Sequence, residues 1–108
     1  MKNLKEFIQL REFDVLTPLT ATELFTEELI HETVKNEIGI IEYHYKHNKH
    51  ETPQFLLGII GDSVSFIEAL VKNKNTSEET FKMLAKSIYP PLADYGTMKL
   101  ALIKQNNR

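Results

Sequence analysis

The chain has 108 residues and a mass of 12.5 kDa, with 42% hydrophobic residues, 26% charged residues and a net charge of −2. This length predicts a single helical domain spanning residues 1–108, and the apolar content excludes wholesale disorder. The absence of cysteine excludes disulfide scaffolds and cysteine-ligated metals. The lack of a basic surplus argues against binding to nucleic acid.

Apolar spacing and capping residues predict an all-α fold, a small bundle of four to five helices. Residues 14–20 contain Pro18 and are expected to form a loop. Pro53 and Ser77 are helix-start signals, because proline suits the first helical position and serine suits the N-cap. Gly96 is expected to interrupt or delay the last helix. The expected helices cover residues 2–14, 20 or 22 to 48, 53–72, 77–89 and 91–105.

The second predicted helix carries apolar residues on two opposite sides. At about 100° per residue, one narrow sector forms the expected core face, made of Ile30, Val34, Ile38, Ile41 and Tyr45. A second stripe on the other side consists of Phe25, Leu29, Ile40 and Tyr43. A helix with two apolar sides is either covered by neighbours on both or meets a partner molecule. Two-fold pairing of a second copy would bury such a stripe, so the sequence predicts a homodimer.

The third predicted helix is apolar around most of its circumference, with a strip of small residues that includes Gly58, Gly61 and Asp62. Two glycines inside a helix cost roughly 1 kcal/mol each relative to alanine, so a compensating contact is expected. Close approach of another helix is the favoured explanation. The alternative is a ligand groove beside Asp62.

Three histidines, His44, His47 and His50, follow one another near the end of the second predicted helix. A zinc site needs three or four convergent ligands, whereas these side chains diverge around the helix. Lys46 and Lys49 would also repel a cation. The cluster is therefore interpreted as a basic helix end that complements the helix dipole, with metal binding as the alternative.

The segments GDSVSFIEALV at 61–71 and SEETFKMLAK at 77–86 are similar to the second half of the all-α nucleoside-triphosphate pyrophosphohydrolases of the MazG type. The resemblance implies Mg²⁺ bound by carboxylates on neighbouring helices, here Glu28, Glu32 and Asp62. The sequence departs from the family at Ile59, where the family has a glutamate. A Mg²⁺-dependent pyrophosphohydrolase, or a degenerate relative without activity, is the alternative function.

The leading hypothesis is a protein that acts by protein–protein contact, as a regulator, an inhibitor or immunity-type partner, or an adaptor. No catalytic constellation supports an enzyme, and no cofactor is expected. The aromatic residues Phe25, Tyr43, Tyr89 and Tyr95 are candidates for the contact, since aromatics are enriched at interface cores. The N-terminus lacks the apolar stretch of a secretory signal, and the longest apolar run is too short to span a membrane. A cytoplasmic location is therefore expected.

Overall fold

In a computed structural model, which describes residues 3–47 and 53–106, the chain is all-α, as the sequence predicts. Six α-helices lie in these two ranges, and none of the residues in them belongs to a strand. A 3-10 turn, Thr17–Leu19, follows the second helix. The helices are α1 Leu4–Gln9, α2 Phe13–Leu16, α3 Glu27–His47, α4 Pro53–Leu70, α5 Glu78–Ala85 and α6 Pro90–Asn106.

The helices form a flat slab whose Cα atoms span 44 × 42 × 17 Å. Packed helices lie about 8–10 Å apart, so the short dimension corresponds to two layers of helices. Helix α3 is central, because it packs against both α4 and α5, while α6 packs against α5. In the part of the chain that the structure describes, no helix is both long and apolar enough to cross a membrane.

Helix α3 begins at Glu27, later than the predicted start at Thr20 or Thr22. The hydroxyl of Thr26 accepts a hydrogen bond from the backbone N–H of Leu29 at 3.2 Å, which is the N-cap geometry. Residues 20–25 are held outside the helix by side chains that follow α4. Asn73 donates to the carbonyls of Thr20 and Thr22 at 2.8 and 2.9 Å, and Asn75 donates to that of Phe25 at 3.2 Å.

The predicted first helix is broken into α1 and α2, and the predicted loop at 14–20 is mostly helical. The break lies at Arg11, which has φ of 53°, a left-handed conformation that a helix cannot contain. This turn redirects the chain so that α2 begins at Phe13. The Phe13 ring then stacks on the Phe66 ring of α4 with centroids 4.7 Å apart.

The two C-terminal helices differ from the prediction at their junction. Helix α5 starts after the predicted N-cap, because the Ser77 hydroxyl accepts a hydrogen bond from the N–H of Thr80, but it ends at Ala85 rather than at residue 89. The following loop is held by the Glu42 carboxylate, which accepts from the Ser87 hydroxyl at 2.9 Å and the Ile88 N–H at 3.0 Å. Helix α6 runs through Gly96 without interruption.

Among the described residues, no helix packs closely against the small-residue strip on α4, contrary to the prediction. Gly58 is exposed and Gly61 is half-buried. A Cβ atom added to either glycine meets no atom within 4 Å, as far as the described residues go. Asp62 and Ser65 on the same strip are exposed. The strip therefore borders solvent, and the alternative that Asp62 lies in a groove is the one that the structure retains.

We predict that Gly58→Ala and Gly61→Ala each stabilise the fold by about 0.5–1 kcal/mol. Each position is helical and has room for a methyl group, and alanine loses less backbone entropy than glycine on folding. Urea denaturation of the two variants and the parent checks this prediction. A midpoint that falls on substitution would show that another part of the chain covers the strip.

Candidate protein-binding groove

Helix α3 has a buried side and an open side. The side predicted as the core face is confirmed, since Ile30, Val34, Ile38 and Ile41 belong to the buried core. The fifth predicted residue, Tyr45, is half-buried and packs against that core. On the opposite side, Leu29 and Ile40 are half-buried and Tyr43 is 59% exposed. Tyr43 is among the most exposed large apolar or aromatic side chains in the described residues. The open side thus runs along most of the helix.

Phe25 does not belong to this open side, although the sequence analysis places it there. It precedes α3 and its side chain is fully buried in the core. The predicted stripe assumes a helix that begins at Thr20 or Thr22, and the late start at Glu27 removes the helical register on which that placement depends. A side chain without exposed surface contributes no contact area, so three predicted interface residues remain: Leu29, Ile40 and Tyr43.

A groove of about 560 Å³ lies between α1 and the N-terminal half of α3. Its apolar walls come from Ile8 of α1 and Leu29 of α3. Two exposed carboxylates, Glu28 and Glu32, line the α3 side, and Lys5 lines the α1 side. The groove therefore combines an apolar surface with an acidic edge. Its size is in the range of sites that receive a ligand or a side-chain cluster of a partner.

Thr33 also lines the groove and leaves a polar atom without a partner. Its side chain is buried, and its hydroxyl finds no hydrogen-bond partner among the residues of 3–47 and 53–106. Leaving a buried hydroxyl unpaired costs about 1–3 kcal/mol, and buried polar groups are normally paired. The hydroxyl oxygen itself has almost no accessible surface, so a molecule in the groove reaches it only after the Thr33 side chain changes its rotamer.

Beyond the groove, the same helix presents an aromatic cluster around Tyr43. The Tyr43 ring stacks on the His47 ring with centroids 4.3 Å apart and meets the His44 ring edge-on at 5.6 Å. The Nδ1 atom of His47 lies 2.9 Å from the Tyr43 carbonyl oxygen, at hydrogen-bond distance. These contacts hold the tyrosine ring in place on the surface, so less side-chain entropy is lost when a partner covers it.

The other aromatic candidates are less exposed than Tyr43. Tyr89 is half-buried and meets Tyr45 edge-on at 5.2 Å, and Tyr95 is half-buried against the core. Burial raises the pKa of Tyr95, with a further contribution from the nearby Glu68 carboxylate. Of the four aromatic residues singled out in the sequence, Tyr43 is the most exposed.

The structure does not bring the carboxylates of the predicted magnesium set together. Glu28 and Glu32 line the groove beside α1, whereas Asp62 lines a separate cavity of about 240 Å³ with Asp14 and Phe66. Within the described residues, no three histidine or acidic side chains are arranged to hold a metal ion. Of the histidine cluster, His47 is exposed and His44 half-buried, while His50 lies outside the described residues.

A buried ion pair is the main feature that the sequence analysis misses. The Arg11 guanidinium donates from Nε and Nη2 to the two carboxylate oxygens of Glu37, both at 3.1 Å. It also donates to the hydroxyl of Ser63. The Glu37 side chain is only 5% exposed and that of Arg11 is 36% exposed. A glutamate within the core-facing sector of α3 was the available signal, since a buried carboxylate needs a paired cation.

No protein-family model, no curated protein and no solved structure matches this chain.

Proposed function

We propose that the chain is a binding module that acts by protein–protein contact through the open side of α3. The observation that carries the proposal is that the groove and the exposed Tyr43 lie on the same side of α3, about two helical turns apart. The groove provides a concave apolar surface with an unpaired buried hydroxyl, and Tyr43 provides a rigid aromatic projection on the same helix side. Pockets and aromatic anchors of this kind supply most of the binding energy in protein interfaces.

The chemistry of the open side also favours a protein over a small polar substrate. Leu29, Ile40 and Tyr43 extend over about 21 Å of helix, which suits a helix or strand of a partner rather than a single small molecule. The charged residues lie at the edges, as in the polar rim of an interface. A regulator, an inhibitor or immunity-type protein, or an adaptor would act through such a surface.

The test is site-specific photo-crosslinking in cells that produce the protein. A benzophenone amino acid at position 43 is expected to form adducts with one defined protein. That protein can be a second copy of this chain. The matched control carries the same group at Met98, which is 49% exposed on α6. With the identified protein purified, Ile40→Glu is expected to weaken binding more than tenfold. Equal adducts at the two positions, or none at position 43, would contradict the proposal.

The pyrophosphohydrolase alternative makes a separate prediction. Because Glu28 and Glu32 lie in a different groove from Asp62, we expect no Mg²⁺-dependent release of pyrophosphate from a panel of nucleoside triphosphates. Metal-assisted chemistry of the kind that the resemblance implies needs carboxylates of neighbouring helices to converge on one ion. Release that needs Mg²⁺ and disappears in Asp62→Ala would show that the chain is an enzyme.

A further inference from the structure

The two halves of the open side of α3 are opposite in shape and in charge. The N-terminal half is concave, lies against α1 and carries the exposed carboxylates Glu28 and Glu32. The C-terminal half projects with Tyr43 and carries the basic residues of the last turn, among them Lys46 and His47. One surface of the chain therefore contains both a groove and a projection, with complementary charges.

We propose that two copies of the chain pair through α3 in antiparallel orientation, with Tyr43 of each copy in the groove of the other. This inference rests on the proposed function and names its partner. Leu29 and Tyr43 are fourteen residues apart, close to four helical turns, so they share one side of α3 and lie about 21 Å apart along it. A two-fold axis then places each groove opposite the projection of the second copy.

The position of the two-fold axis follows from the same spacing. Asn36 is midway between Leu29 and Tyr43, is exposed and lines the edge of the groove. With the axis at Asn36, the two copies of this side chain meet, and an amide both donates and accepts hydrogen bonds. A single asparagine at the centre of a helix pair specifies the register in coiled coils, and no other antiparallel register brings the two copies of Asn36 together.

Tyr43 suits the groove both in its ring and in its hydroxyl. The ring offers an apolar face to Ile8 and Leu29, which form the groove walls. The phenolic hydroxyl can donate or accept a hydrogen bond. The buried Thr33 hydroxyl beside the groove lacks a partner in the described part of the chain, and a change of the Thr33 rotamer would bring it to the groove surface. Tyrosine is enriched at interfaces for this combination of an apolar body and a polar end.

Charge selects the antiparallel orientation. With the axis at Asn36, Glu28 of one copy lies opposite His44 of the other, in the basic last turn of α3 that also carries Lys46 and His47. Glu32 lies opposite Ile40, closer to the axis. A parallel pair would place carboxylates on carboxylates and basic groups on basic groups. Opposed helix dipoles favour the same arrangement. Juxtaposed like charges suppress an alternative pairing by several kcal/mol in known interfaces, so complementarity fixes orientation as well as partner.

Oligomeric state is the first measurement, by light scattering after size exclusion. The wild-type chain is expected at twice the 12.5 kDa of one chain. Tyr43→Ser is expected to raise the dissociation constant more than tenfold, whereas the control Met98→Ser leaves it unchanged. Tyr43→Phe is expected to weaken the dimer roughly three- to tenfold by removing one hydrogen bond. Thr33→Val is then expected to weaken dimerisation when it is made in the wild-type chain, but not when it is added to the Tyr43→Phe variant.

Disulfide crosslinking tests the register, and the chain suits it because it contains no cysteine. Asn36→Cys is expected to form a covalent dimer on mild oxidation, since the two copies meet at the axis. Lys35→Cys is the control, because the adjacent exposed residue points about 100° away around the helix. Ile40→Cys is also expected to remain unlinked, because its two copies lie more than about 12 Å apart in the antiparallel pair, beyond the reach of a disulfide.

Three results would overturn the antiparallel dimer. The first is a wild-type chain that is monomeric at high micromolar concentration. The second is a dimer in which Asn36→Cys fails to crosslink. The third is efficient crosslinking of Ile40→Cys, which would indicate parallel helices. The photo-crosslinking experiment separates this failure from that of the proposed function. A monomeric chain that still crosslinks a different protein at position 43 overturns the dimer alone. Absence of every adduct at position 43 overturns both.

Discussion

Replacement of Gly96 by leucine is expected to prevent stable folding, and replacement by alanine is expected to destabilise the chain by about 1–3 kcal/mol. Gly96 is buried on α6 where that helix meets α5. A Cβ atom at this position would lie 2.4 Å from the backbone N of Ala85 and 2.8 Å from the backbone O of Phe81. Both atoms belong to the α5 backbone, so relief requires the two helices to separate.

Separation of α5 and α6 would also withdraw Leu92 from the core, in which it is almost fully buried with Leu84. The helix propensity gained from alanine, about 1 kcal/mol, offsets only part of this loss. The measurement is thermal or urea denaturation beside Gly58→Ala, the same substitution at an exposed helical site. The melting temperature is expected to fall in Gly96→Ala and to rise in Gly58→Ala, by roughly 4 °C for each kcal/mol of change in the free energy of unfolding. If Gly96→Ala melts at or above the parent temperature, the helices do not approach closely.

The glycines show why a pattern in one sequence does not locate a helix contact. Gly58 and Gly61 have the spacing that favours close helix packing, yet both border open space, and Gly96 makes the contact instead. Helical periodicity tells which residues share a side of one helix. It does not tell which side another helix approaches, because that depends on connections and packing elsewhere in the chain. The glycine predicted to break a helix is thus the one that allows two helices to meet.

Local signals located several elements well. Pro53 begins α4 and Ser77 caps α5, because proline and serine at these positions act within one turn of the chain. The predicted start of α3 is wrong because that start is chosen by contacts with a distant part of the chain. Thr20, Thr22 and Thr26 are all suitable N-caps, and the choice among them is made by Asn73 and Asn75, about fifty residues away.

The same limit applies to the candidate site. Periodicity placed Leu29, Ile40 and Tyr43 on the open side of α3, because all three lie within the helix. It placed Phe25 there only by extending the helix too far. The groove itself was not predictable, since α1 forms one of its walls. The position of α1 depends on the left-handed backbone at Arg11, which no local rule assigns to an arginine.

That backbone conformation is explained by the contacts of the Arg11 side chain, and they lead to the second large expected effect. A non-glycine residue in the left-handed region costs about 1 kcal/mol or more, so it persists only where neighbouring contacts hold it. Here the guanidinium binds both carboxylate oxygens of Glu37 and the hydroxyl of Ser63. These contacts therefore join the turn between α1 and α2 to helices α3 and α4.

Arg11→Met is expected to destabilise the fold by about 3 kcal/mol, because it leaves the Glu37 carboxylate buried without a counter-charge. The value is at the low end of the range for buried pairs, since the Arg11 side chain is 36% exposed. Glu37→Met is expected to cost less, because the freed guanidinium can turn toward water. The double variant Arg11→Met/Glu37→Met is expected to recover most of the loss, since it leaves neither charge buried alone.

Urea denaturation of the two single variants and the double variant measures the coupling directly. A double variant more stable than Arg11→Met would show that the buried, unpaired charge causes the loss. Additive losses would instead show that the two residues act independently. Ser63→Ala provides a further comparison, because it removes the third member of the cluster while leaving both charges paired. Its smaller expected cost, about 1 kcal/mol for one hydrogen bond, separates the effect of charge from that of packing.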